Sequence, residues 1–520
     1  MKKFGKAFAA GVTVYVLLLF ALVASEASHA DSAIHTFADA LWYSVVTMTT
    51  VGYGDMYPVS AAGKMIGFVF LLLSVSVLAF LISAVLSLLR GRLYPRIIML
   101  QNKRREWFVF SEVNEASRTL ADHIAHENKD ALFIFCCEAA AQEQKWYADR
   151  KLYVAQTPEE VVDGFPAAAQ RHVFLISGDF SRNCDEALGL LGRQAKLYCL
   201  SEESACQNDI LFFDPFECCA RQFWQEHPIA SQENCIVLIG DGQYAQAILS
   251  QALLVNCREP FAAAQYHVFG CWDSYRCVHS QLEQALCIDR TEAEKDSLFF
   301  HPQRWEAYRE LMRQASRIIL CDDDEEENIR TAQTLRRYYA SSGQVFVRTS
   351  HQLAADVCFG GVQQLYTPEL VMKSGLDRIA RQMHQLYCSS AESSAPAWEA
   401  LDGFLRASNR AAADHLATKI RLLLPQLQKV DMDAIRRAAQ LYRQSDEQQI
   451  ERCRRNEHQR WMRFHFLYGW QYAPQKDNAA RFHPCLVPYE ELDQQEQAKD
   501  DYAWRQLEQL AACDEEKVLS

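Results

Sequence analysis

Residues 47–55 read Thr-Met-Thr-Thr-Val-Gly-Tyr-Gly-Asp. Gly52 and Gly54 stand two apart, so the backbone can alternate in handedness there and turn successive carbonyls toward one axis. L-residues resist that conformation and glycine permits it. Thr50 adds a hydroxyl oxygen to the line, and Tyr53 can pack outward and hold the loop open. A row of oxygens of this kind replaces the hydration shell of a cation. A plain glycine-rich turn between apolar segments is the competing reading, and the sequence on either side decides between them.

No residue from Ala7 to Ser25 is charged, and none from Met65 to Leu89. Each run is long enough to cross a bilayer core as a helix, so two spans bracket the loop. Between them Ile34 to Met48 is too short to span, but Phe37, Leu41, Trp42 and Val45 recur at helical spacing. That pattern predicts a re-entrant helix whose negative C-terminal end faces a cation path. Lys2, Lys3 and Lys6 precede the first span, while Arg90, Arg92, Arg96, Lys103, Arg104 and Arg105 follow the second. Both termini are therefore expected in the cytoplasm and the protein in the cell (inner) membrane. Ala27-Ser28-His29-Ala30 also resembles a secretory cleavage site, but cleavage there would remove the helix that supports the loop.

With these flanks in place, Thr50-Val51-Gly52-Tyr53-Gly54 resembles the selectivity filter of K⁺ channels. The resemblance implies carbonyl-coordinated K⁺ at these five residues. One loop per chain implies a homotetramer in the lipid bilayer.

Residues 1–105 carry a formal charge of +6 and the remaining chain −19. An acidic cytoplasmic part of that size argues against nucleic-acid binding. The eighteen cysteines are scattered with no CxxC pair, as expected of reduced thiols.

Beyond Arg105 a strand–helix alternation begins: Trp107–Ser111, Ala131–Cys136, His172–Ser177 and Lys196–Leu200 read as strands. It starts again at Cys235, with further strands at His267–Gly270, Arg317–Cys321 and Gln344–Val347. Two parallel, Rossmann-like α/β lobes are predicted, over about 104–230 and 231–360, after a pore region over 1–100. The second lobe carries Gly240-Asp241-Gly242-x-x-Ala245 between a strand and a helix. Such a turn brings backbone against a phosphate at a helix N terminus and makes these residues a candidate nucleotide site, with Asp273 as the ribose-binding acid. The matching turn of the first lobe, Ser111 to Ala116, has no glycine.

A two-helix K⁺ pore followed by two such lobes resembles the regulator-of-K⁺-conductance (RCK) channels, in which lobes form a ring whose diameter follows ligand binding. The acidic run Asp322–Glu327 with Asn328 resembles that family's helix-capping loop. Capping is the reading adopted over a Ca²⁺ site, although oxygen-rich runs also suit that ion. No glycine lies between Gly67 and Gly91, so inner-helix bending would fall to Ser74, Ser76 or Ser83.

After Gly360 the pattern turns mainly α-helical. Phe404 to Arg410 with the stretch to Lys419, then Asn456-Glu457-His458-Gln459-Arg460-Trp461, Gly469-Trp470-Gln471-Tyr472 and His483-Pro484 through Leu492, resemble the ryanodine-receptor repeat (RyR) domain over about 370–510. Asn409, Arg410, His458, Arg460, Trp461, Trp470, Tyr472 and His483 are the candidate ligand residues, since rings and guanidinium groups suit a base and a phosphate. The chain contains no HExxH, GxSxG or Walker sequence, which sets a ligand-gated channel ahead of a membrane-anchored nucleotide-dependent enzyme. A nucleotide-type small molecule is the expected regulator, with Ca²⁺ or redox state as the alternative. Deleting everything after about Gly360 is expected to leave a selective pore that no longer responds.

Overall fold

The computed structural model describes residues 2–72, 82, 94–137, 147–148, 150–164, 170–201, 209–230, 232–258, 263–287, 296–339, 341, 343–389, 395–427 and 430–513, with side chains from residue 13 onward. Two compact units, Met1–Gln101 and Asn102–Ser520, make up the chain.

The first unit contains helices Lys2–Glu26, Phe37–Met48 and Tyr94–Gln101, with a further helix described over 61–72. Phe37–Met48 starts late relative to the apolar pattern because Thr36 caps it. The Thr36 hydroxyl accepts from the Asp39 amide, while the Asp39 carboxylate accepts from the amides of Thr36 and His35. Tyr15 and Ser44 hydroxyls, 2.6 Å apart, tie this helix to the first. Glu26 ends the first helix and accepts from the Val59 and Ser60 amides and the Ser60 hydroxyl. Among the described residues no helix is long and apolar enough to cross a membrane. Most of the run Met65–Leu89, with Ser74, Ser76 and Ser83, lies outside them.

The second unit contains two sheets. The first is ordered β3-β4-β2-β1-β5-β6-β7, from β1 (Trp107–Phe110), β2 (Leu132–Cys136), β3 (Tyr147–Ala148), β4 (Lys151–Val154), β5 (Arg171–Leu175), β6 (Lys196–Leu200) and β7 (Ile210–Phe213). All neighbours are parallel except β3 with β4. The second is ordered β10-β9-β8-β11-β12-β13 and parallel throughout, from β8 (Cys235–Ile239), β9 (Gln265–Phe269), β10 (Ser297–His301), β11 (Arg317–Leu320), β12 (Gln344–Arg348) and β13 (Val357–Phe359). Both sheets run outward from their first strand in both directions, the Rossmann-like order. Strands β3, β4, β7, β10 and β13 escape the sequence reading. They are short edge or near-edge segments whose apolar runs carry no decisive period.

The two lobes share one core. Helix Pro215–Glu226 leaves β7 and lies on helix Gln243–Val255 of the second lobe, where Trp224 donates to the Ile248 carbonyl at 2.9 Å. After β13 the chain returns to the first lobe, and the Tyr366 carbonyl accepts from His123 at 2.9 Å. The rest is helical, with a separate core around Tyr442 and Trp504, whose rings stack at 5.2 Å. One two-residue strand pair, Gln471–Tyr472 with Phe482–His483, interrupts the helices.

Candidate functional site

The filter stretch has left-handed backbone at alternate residues: Thr50 at φ 58°, Gly52 at 61° and Gly54 at 74°. A β-branched residue rarely adopts such an angle, so Thr50 is held there by its surroundings. The pore-side helix supplies them, since the Val51 amide donates to the Val46 carbonyl at 3.1 Å. Behind the loop, Trp42 stacks on Tyr53 at 6.2 Å and donates from Nε1 to Asp55 at 2.9 Å. Tyr53 is thus pinned outward. No atom lies within 4 Å of a Cβ placed on Gly52 or Gly54, so conformation and not space demands glycine.

The glycine turn of the second lobe holds an anion of its own. The Asp323 carboxylate accepts from the amides of Gln243 and Tyr244, both at 3.1 Å, where a helix N terminus would otherwise meet a phosphate. A Cβ on Gly242 would collide with that carboxylate, and one on Gly240 with the backbone of Cys321 and Asp322. The close approach permitted by the glycines therefore serves the acidic loop. This corrects the nucleotide reading of Gly240, Asp241, Gly242 and Ala245: the phosphate position is filled from within the chain. Asp241 accepts from the Cys271 amide, Ala245 is buried, and Asp273 stands exposed beyond β9.

Asp324 caps helix Glu325–Tyr338, and Glu325 accepts from the Ser350 amide at 2.7 Å. Arg348 donates to the carbonyls of Asp322 and Asp323, while Asn328 brackets Asp322 on both sides. With these carboxylates committed to capping, no group of three or more His, Cys, Asp or Glu among the described residues could hold a metal ion.

In the helical part the structure gathers an aromatic and imidazole cluster. Trp461 lies 5.8 Å from His458, 4.0 Å from His465 and 4.9 Å from His483, and Trp470 lies 5.3 Å from His465. His465 is the member that sequence reasoning missed. Its spacing of four from Trp461 on helix Glu447–Leu467 was the available signal. Burial depresses all three imidazoles, His465 to about 3 and His483 to about 4, so the rings are neutral at pH 7.

Four candidate residues do not join this cluster. Arg460 turns to the buried Glu457 at 2.8 Å, and Arg410 to the buried Asp377 at the same distance. Tyr472 is exposed. Asn409 donates to the Leu405 carbonyl of its own helix. A common pocket holding His458, Arg460 and His483 is therefore corrected: neighbours along a helix face different ways, and a buried guanidinium needs its carboxylate. Burial alone would raise Glu457, but Arg460 and Lys419 outweigh it and hold the carboxyl at about 2.

Also missed was the charge network joining the helical part to both lobes. Arg221, on the helix after β7, donates to Asp414 at 2.7 Å and to Asp377 at 2.7 Å. Gln251 of the second lobe donates to Asp414 at 2.9 Å. Arg463 pairs with Asp296 at 2.7 Å, both buried. The carbonyls that end helix Gln243–Val255 accept from the helical part as well, with Thr418 on Val255 at 2.7 Å and Asn456 on Cys257 at 3.0 Å.

Residues 8–91 match the family described as ion channel, and residues 436–513 match the RyR domain family. The chain carries an ion-channel region and a RyR domain. The ion-channel region is similar to the potassium voltage-gated channel subfamily A member 6 of Mus musculus, 50% identical over 52 residues that make up 10% of each chain. It is also similar to the voltage-gated potassium channel of Aeropyrum pernix, 46% identical over 66 residues, 13% of this chain and 22% of that one. The match thus spans about a tenth to a fifth of these relatives' length. Among solved structures, the GsuK channel aligns at 13% identity over 74% of this chain and 86% of its own, with a TM-score of 0.37. GsuK bound to ADP aligns at 15% identity over 69% and 96%, with a TM-score of 0.32. Scores this low do not relate the folds.

Proposed function

We propose that the chain forms a K⁺-selective channel in which one filter loop from each of four copies surrounds the ion, and that a small ligand acting on the soluble unit regulates it. The observation that carries the reading is the alternation of left-handed backbone at Thr50, Gly52 and Gly54 within the ion-channel region. Only such alternation turns consecutive carbonyls to one axis, and only several chains close a ring of them. The apolar runs on either side support a membrane location for this region, and the Lys and Arg residues outside them support cytoplasmic termini. The chain is read as a channel and not an enzyme, its sequence holding no HExxH, GxSxG or Walker motif. A nucleotide-type ligand is the regulator proposed, sensed by the part of the chain after the second lobe.

Purified full-length protein in liposomes tests this reading. K⁺ flux exceeding Na⁺ flux by at least about a hundredfold is the expected outcome, changing when ADP is added on the side of the soluble unit. Equal K⁺ and Na⁺ flux, or selective flux through a monomeric particle, would refute it.

A further inference from the structure

A cleft of about 600 Å³ opens between the edge of the first sheet and the helices that follow the second. Residues 190–198 and 209–212, from β6, β7 and the turn before them, form one wall. The other carries Arg381, Trp398 and Arg406. The volume lies within the range of small-molecule sites. Its chemistry contrasts with the soluble part, where acids outnumber bases.

Lys196 lies on the cleft wall, and its ammonium has no hydrogen bond or ion pair among the described residues. Opposite it, the Arg381 guanidinium sits over Trp398 at 5.3 Å, 3.7 Å from Glu399, and its Nε is buried without a hydrogen-bond partner. A buried donor left unpaired is destabilising, so the site favours an incoming acceptor. Arg406 is anchored by the carbonyls of Trp398 and Glu399, at 3.3 and 2.9 Å, which fixes a second guanidinium in the same wall. Forked donors fixed beside a free ammonium suit phosphate oxygens. The Trp461 cluster, with its neutral imidazoles, lacks that charge.

We infer that this cleft is a binding site for a phosphate-bearing small molecule of nucleotide size, held by Lys196 and Arg381. The inference rests on the ligand-regulated reading only for its consequence in gating, because binding is measured whether or not the protein conducts. That consequence follows from the floor of the cleft, where Asp377 and Arg410 belong to the network that reaches Arg221, Asp414 and Gln251. A ligand drawing the two walls together acts on all three parts of the soluble unit.

Titration of the full-length protein in detergent with ADP, pyrophosphate and adenosine, followed by calorimetry, tests the site. ADP is expected to bind, pyrophosphate to compete with it, and adenosine to show no saturable binding. Lys196→Gln and Arg381→Gln should each weaken ADP by about tenfold, and the double variant by more. Lys196 is exposed at a sheet end, so its variant keeps the test valid if loss of Arg381 disturbs the fold. Undiminished ADP affinity in the double variant, or no binding of either phosphate compound to the wild-type protein, would overturn the assignment. Liposome flux from the same preparations separates the two readings, since K⁺ selectivity is expected to be unchanged in both variants.

Discussion

Within one chain, conformation and not crowding sets the residue type at Gly52 and Gly54, since no atom of the chain lies within 4 Å of where a Cβ would stand. Alanine there costs roughly 1–2 kcal/mol per residue in left-handed backbone. Gly52→Ala and Gly54→Ala are expected to lose K⁺ over Na⁺ selectivity in liposome flux while the protein still assembles. Asp323 presents the opposite case, a residue whose role the sequence hid. Its carboxylate satisfies two amides at the start of helix Gln243–Val255, so Asp323→Ala should lower stability by about 1 kcal/mol. The vacated helix end should then accept a free anion, and phosphate should raise the melting temperature of the variant more than that of the wild type. An equal rise in both would mean that Asp323 does not stand in for a phosphate.

Between elements, the packing of helix Glu447–Leu467 against helix Gln494–Ala511 contains a group that titrates near neutrality. Burial, helped by the charge of Glu457, pushes the Asp500 carboxyl up to about 8. An unfolded chain ionises the same residue near 4, so over the window from about 4 to 8 the folded state retains a proton that the unfolded state has released. Stability contributed by the protonated form is thus complete below pH 4 and lost as pH rises through 8. Asp500→Asn removes the dependence: its melting temperature should exceed the wild type by a few degrees at pH 8, about 2–4 °C per kcal/mol, and match it at pH 4. Calorimetry at the two pH values checks this. An advantage of equal size at both would assign the effect to packing. That this part is helical was legible from sequence, whereas its helix starts, capped by Asp446 and Asp493, and strand β10 were not read there.

On the scale of the whole molecule, the boundary near Gly360 is not a seam. Arg221 before it pairs with Asp377 and Asp414 after it, and Asp296 pairs with Arg463, all of them buried. Removing the chain beyond Gly360 would take Asp377 and Asp414 from Arg221 and Arg463 from Asp296, and would open to water the apolar core that the lobes share with helix Glu447–Leu467. The truncated protein is therefore expected to unfold in its second unit at lower denaturant than the full chain, in place of the intact but unresponsive channel that the sequence predicts. A truncation with unchanged unfolding midpoint would show that the interface contributes no stability. Filter, lobes and RyR motifs were each written in contiguous residues, because backbone handedness, strand–helix alternation and local aromatic spacing are properties of neighbours along the chain. Glycine at 52 and 54 permits the left-handed φ that the loop requires. The anion held at the Gly242 turn, the partner of Arg410 and the cleft facing Lys196 were decided by tertiary structure. Each depends on which carboxylate or guanidinium distant in sequence reaches the position, and burial forces that pairing by making an unpartnered charge too costly to keep.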